Sequence, residues 1–101
     1  MALFRKDTNM IATEIGIRIQ FKHDRGPRNG EGNRIITATT RCILLDSKDN
    51  DISVGSAFCL DGDQFNKEIG RRLALTRAVA SSGLNKEDRR TIWNTYFGRR
   101  S

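Results

Sequence analysis

Apolar and polar positions alternate along three stretches of the chain and then change to a helical spacing in two more. From Glu14 to Lys22, Ile15, Ile17, Ile19 and Phe21 share one face, and Gly16, Arg18, Gln20 and Lys22 share the other. A period of two with one apolar and one cationic face predicts a half-buried strand. Residues 34–45, RIITATTRCILL, place Ile36, Ala38, Thr40, Cys42 and Leu44 opposite Ile35, Thr37, Thr39, Arg41 and Ile43. Their β-branched content suits a pleated surface. In the third strand Ile52, Val54, Ser56, Phe58 and Leu60 alternate with Ser53, Gly55, Ala57 and Cys59. Residues 46–51, DSKDND, read as the turn between the last two. Short connections favour an antiparallel meander.

At Asp61-Gly62 the pattern turns, and Asp63 stands where a helix N-cap is expected. From Gln64 onward Phe65, Ile69, Leu73, Thr76 and Ala80 fall on one stripe, widened by Leu75 and Val79, which predicts a long amphipathic helix with that stripe facing the sheet. Lys67, Arg71 and Arg72 lie on its other side. Ser81-Ser82-Gly83 ends it, with Gly83 at C′ and Leu84 as the apolar residue that follows. Asn85 caps a second, short helix carrying Asp88 in its first turn and Ile92, Trp93, Tyr96 and Phe97 on a wide aromatic flank. Gly98 closes that helix. The expected fold is α+β: a three-stranded antiparallel meander, a long helix packed on one face and a short C-terminal helix. Residues 1–13 read as an N-terminal arm, and 14–101 as one α+β domain.

Between the first two strands lies HDRGPRNGEGN, residues 23–33, with three glycines and the only proline. That composition predicts irregular structure. Arg25 and Arg28, with Arg34 at the exit, make this loop a candidate ligand contact. It lacks the Lys-Ser/Thr of a P-loop and the strand–loop–helix setting such a loop needs.

Composition narrows the function classes. With 101 residues, 37% hydrophobic and 30% charged, the chain suits one globular domain. No apolar run approaches the roughly 20 residues of a membrane helix. The first residues lack the apolar core and cleavage site of a secretory signal, so an intracellular location is expected. Cys42 and Cys59 fall in different strands and are expected as reduced core thiols. One histidine and no Cys/His cluster leave a structural metal without ligands, and no cofactor motif is present. No nucleophile elbow or catalytic dyad emerges, and turn and cap roles account for Asp61 and Asp63, so an enzyme is not expected.

The net charge of +6 points to an anionic partner. Arginine outnumbers lysine, and its planar fork binds phosphate bidentately and stacks on bases. Ile92, Trp93, Tyr96 and Phe97 are more apolar surface than a short helix needs for its own docking. They are expected to form a homo-oligomer contact in addition to core packing, a base-stacking platform being the third use.

Within residues 57–78, Ala57-x-Cys59, Asp63-x-Phe65, Gly70-Arg71, Ala74 and Arg77-Ala78 resemble a pattern recurring in small bacteriophage proteins. The stretch, about a fifth of the chain, is similar to phage anti-defence proteins of the Thoeris anti-defence sponge type, which sequester nucleotide immune signals. The resemblance implies a phage protein in the cytoplasm of an infected bacterium, holding cyclic ADP-ribose-like or cyclic oligonucleotide signals intact in sites between subunits. Asp63, Phe65, Arg71 and Arg77 would meet the ligand. Two alternatives stay open: a nucleic-acid-binding regulator, and a protein inhibitor of a host defence complex in the manner of an anti-CRISPR.

Overall fold

A computed structural model describes residues 8–29, 35–60 and 66–100, with side chains at 9–25, 36–59 and 66–98. The described chain is α+β, with four antiparallel strands in the order β1-β2-β3-β4 and two helices. The strands are β1 (Thr8–Ala12), β2 (Ile17–Asn29), β3 (Ile35–Leu45) and β4 (Asp51–Leu60); the helices are α1 (Lys67–Ala80) and α2 (Lys86–Arg100).

The fourth strand corrects the three-stranded expectation. Thr8–Ala12, TNMIA, lies in the stretch expected as an arm, yet it pairs with β2 from Thr8↔Phe21 to Ala12↔Ile17. Five residues are too few to show a period. They are held by the edge of β2 and by burying Met10 and Ala12. The turn before β2 also takes residues that the alternation had placed in the strand: Gly16 adopts φ +65 and its N–H donates to the Thr13 carbonyl.

A second correction concerns residues 23–29, expected to be irregular and found in β2. The ladder with β3 runs to Arg25↔Ala38, slips, and resumes at Arg28↔Ile36. Pro27 sits inside that irregularity, beyond the reach of β1, where its missing N–H breaks no ladder bond. Residues 30–34, the rest of the glycine-rich stretch, lie outside the described residues.

Both helices cover one face of the sheet, α1 over β3 and β4 and α2 beside β1. Between them and the sheet lie Ile17, Ile19, Phe21, Cys42, Leu44, Ala57, Leu75, Ile92 and Tyr96. Asn66, not Asp63, caps α1: its backbone is extended and its side chain accepts from the N–H groups of Glu68 and Ile69. Asn85 caps α2 as expected, accepting from the Asp88 N–H at 2.8 Å. Gly83 takes the positive φ between the helices.

The buried face of α1 keeps Leu75 and Val79 of the predicted stripe and replaces its other described members. Ala74, Leu75, Ala78 and Val79 are buried, whereas Ile69, Leu73, Thr76 and Ala80 are exposed, Ile69 by 63%. Close approach explains the inversion. A Cβ on Gly55 would stand 2.2 Å from the Ala74 carbonyl oxygen and 2.3 Å from the Ala78 nitrogen. One on Gly70 would stand 2.8 Å from Thr40 Oγ1. Ser53 Oγ donates to the Ala78 carbonyl at 2.7 Å across the same contact. The helix backbone therefore rests on the sheet where both sides are small, at Ala74 and Ala78, with Leu75 and Val79 buried beside them and Ile69 and Leu73 turned outward.

Candidate functional site

The same inversion sets the character of the sheet's other face. Gly55 and Ala57 of β4 point to the helices, so Val54, Ser56 and Phe58 point away, while Ile52, at the register shift beside Leu44 and Leu45, packs against the core. Register aligns the outward residues of neighbouring strands into rows. One row is Asn9–Gln20–Ile43–Val54, the next Lys22–Arg41–Ser56, and the next Asp24–Thr39–Phe58. Ile11 and Arg18 pair in the row on the far side. Among the described residues both helices lie on the opposite side; on this face Thr39 and Leu45 are buried between neighbours, while Ile11, Val54 and Phe58 are exposed.

An open face of an antiparallel sheet is ordinarily polar. Here Phe58 is 54% exposed, Val54 46% and Ile11 53%, with Ile43 half-buried between them. Among these apolar side chains stand three cations. Arg18 is held by Asp49, whose φ of +65 lies in the β3–β4 turn. Asp46 organises that turn by accepting from the N–H groups of Lys48 and Asn50, bonds that lower its pKa. Lys22 and Arg41 are direct cross-strand partners, and neither has an ion pair among the described residues. Cβ atoms at such positions are about 5 Å apart, and like charges there are destabilising. Ser56 completes their row and contributes no carboxylate.

The residues proposed from sequence are distributed differently. Arg71 and Arg77 are engaged within the fold. Arg71 and Arg72 both pair with Glu68, and Glu68 also accepts from the Tyr96 hydroxyl at 3.0 Å. Arg77 donates to the Ser56 carbonyl at the outer edge of β4, covering one acceptor of an edge strand. Arg25 is exposed beyond the end of the β1 pairing, on the helix side of the sheet by register. Arg28 lies in β2 but its side chain, like Asp63 and Phe65, lies outside the described residues. The aromatic helix is used mainly within the chain. Ile92 and Tyr96 are fully buried, and Tyr96 packs on Phe21 with ring centroids 5.7 Å apart. Trp93 is partly buried against the core. Phe97 is half exposed, stacked on Trp93 and overlain by the Arg72 guanidinium. Burial is the larger of two opposing influences on Tyr96 and raises its pKa; the Arg71 hydrogen bond lowers it.

Sequence reasoning passed over Lys22, Arg41, Val54 and Phe58 as a group. The signal was present, because Gly55 and Ala57 are the smaller set in β4, and a helix backbone can approach only small residues.

Cys42 and Cys59 are not disulfide-bonded; Cys42 is buried, and burial pushes its thiol up to about 12, while Cys59 is partly exposed. His23 is half-buried, with Nδ1 3.0 Å from Thr40 Oγ1, beneath the point where Gly70 crosses the sheet. No described helix is long and apolar enough to cross a membrane. Comparison of the chain with known protein families, curated proteins and solved structures returns no match.

Proposed function

We propose that this chain binds nucleotide phosphates without chemical turnover, and that the open face of the sheet is the site. The observation that carries the reading is the Lys22–Arg41 pair. Two cations face each other across neighbouring strands with no carboxylate between them. Such a pair costs stability in the free protein, and an anion seated over both offsets that cost. The net charge of +6 draws a polyanion toward the molecule as a whole.

The resemblance of residues 57–78 to nucleotide-sequestering phage proteins supports the same class of ligand. On that resemblance, the biological role is to withhold a nucleotide or a nucleic acid from host defence in an infected bacterium. Arg71 and Arg77, engaged with Glu68 and the Ser56 carbonyl, would have to exchange those partners for a ligand. Lys22 and Arg41 need no such exchange, which supports a first contact on the sheet.

A second reading is direct inhibition of a host protein. It is favoured by the exposed Ile69 and Leu73 on α1, with Phe97 exposed on α2.

Titration calorimetry against a panel of oligonucleotides, cyclic dinucleotides and cyclic ADP-ribose tests the first reading. Binding should weaken linearly with the logarithm of salt concentration, and the ligand should be recovered unchanged. Absence of binding across the panel, or conversion of the ligand, contradicts the reading.

A further inference from the structure

We infer that the ligand of the open face is single-stranded nucleic acid, with a base stacked on Phe58 and the backbone passing over Lys22 and Arg41. This rests on the phosphate-binding reading above and adds the ligand class and the residue that recognises it.

Charge alone would fit duplex, single strand or free nucleotide. The apolar side chains discriminate. Ile43 and Val54 form one row, Lys22 and Arg41 the next, and Phe58 stands in the third. A strip of cations thus runs between two apolar positions on one flat surface. A polyanion with buried bases uses only the cations. A single strand presents phosphates and unstacked bases together, and every base has a face that can lie on an aromatic ring or an aliphatic row. Phe58, 54% exposed, is the aromatic ring of that surface.

Shape points the same way. Neighbouring strands are about 4.8 Å apart, and β2, β3 and β4 carry the Lys22 and Phe58 rows, so their axes span about 10 Å before side chains are added. A B-form major groove is about 12 Å wide and admits a helix or a two-stranded ribbon. A three-stranded face with its side chains is broader than the two-stranded ribbon that groove admits, but it suits an extended strand lying across it. Among the described residues the acidic groups on and beside this face are Asp24, two residues from Lys22, Asp49, on Arg18, and Asp51, in Arg18's row. They leave the Lys22–Arg41 row as the attractive track.

The test is fluorescence anisotropy over a matched series of salt concentrations with labelled dT20, U20, a 20-base-pair duplex and cyclic di-AMP, each as a direct probe. The two oligomers separate DNA from RNA as the source of the strand. At least one single strand should bind ten times or more tighter than the duplex. Phe58→Ala should weaken that strand about tenfold, in keeping with the stacking contribution of one base, and leave the duplex value and the melting temperature unchanged. Phe58→Trp should retain or improve binding, showing that an aromatic face and not the phenylalanine shape is required. Lys22→Ala should instead lower the salt slope by about 0.7. Equal affinity for duplex and single strand with Phe58→Ala indifferent would overturn the inference and leave phosphate binding standing. Tight binding of cyclic di-AMP with neither strand bound would do the same. No binding of any probe would overturn both.

Discussion

The two faces of one sheet follow opposite rules. Toward the helices, β4 offers Gly55 and Ala57, and the backbone of α1 comes within contact distance at Ala74 and Ala78. Toward solvent, the same strand offers Val54 and Phe58, beside Ile43, Arg41 and Lys22 on its neighbours. Bulk is missing where a core would use it and present where solvation would exclude it. Stability resides on the first face, where small side chains allow close packing. The second face buries Thr39 and Leu45 but leaves Val54 and Phe58 exposed and carries the repulsive Lys22–Arg41 pair.

The largest effect should come from filling the helix side. Gly55→Val puts atoms where the Ala74 carbonyl and the Ala78 nitrogen already stand, and backbone cannot yield as a flexible side chain can. It should cost about 3 kcal/mol or more, read as a lower denaturant midpoint. Val54→Thr, one residue away on the open face, should stay within about 0.5 kcal/mol of the wild type. Comparable losses from the two would erase the distinction between the faces.

Tyr96→Phe removes the hydroxyl that ties α2 to Glu68 on α1. It should cost about 1 kcal/mol in a denaturant titration. Asn66→Ala leaves the Glu68 and Ile69 N–H groups without their cap and should also cost about 1 kcal/mol. Neither should change affinity for a polyanion, because neither residue is on the open face.

Alkaline pH sharpens the contrast through the buried groups. Cys42 has its thiol raised to about 12 by burial. A raised folded-state pKa contributes stability that is full below the unfolded value and lost as pH rises through the folded one. Stability should therefore fall between about pH 9 and 12, more shallowly in Cys42→Ala, with Tyr96 adding to the loss in the same direction. A thiol reagent at neutral pH should label Cys59 in the native protein and Cys42 only after unfolding; equal labelling rates would contradict the buried placement of Cys42.

The smallest effect has the opposite sign. Arg41→Thr relieves the repulsion with Lys22 and places a β-branched residue in a strand. It should raise stability by a few tenths of a kcal/mol while weakening polyanion binding. A loss of stability would mean that Arg41 serves the fold.

Much of this architecture was legible in the residue pattern. The spans of β3 and β4, the 46–50 turn, the Asn85 cap and the α+β antiparallel arrangement all follow from local chemistry, which acts over a few residues. What escaped depends on contacts between distant residues. β1 has no period of its own and exists because β2 offers an edge. Gly26-Pro27 reads as a breaker, yet the ladder irregularity between Arg25 and Arg28 accommodates it. The stripe Ile69, Leu73, Thr76 and Ala80 follows the rule that large apolar residues face inward, and close approach at Gly55 reverses the rule. The residue pattern assigns Ile92, Trp93, Tyr96 and Phe97 jointly to core and interface; the room between α1 and β1, set only by the fold, takes Ile92 and Tyr96 into the core. Arg71 and Arg77 looked available because Glu68 and the Ser56 carbonyl reach them only in the fold.

Chemical-shift mapping of the isotopically labelled protein during titration with dT20 or U20 tests the central claim most directly. The account predicts shifts concentrated on Gln20, Lys22, Arg41, Ile43, Val54 and Phe58, with Leu75, Ala78 and Ile92 on the helix side little changed. Shifts centred instead on Ile69, Leu73 and Phe97, with the sheet face silent, would contradict it.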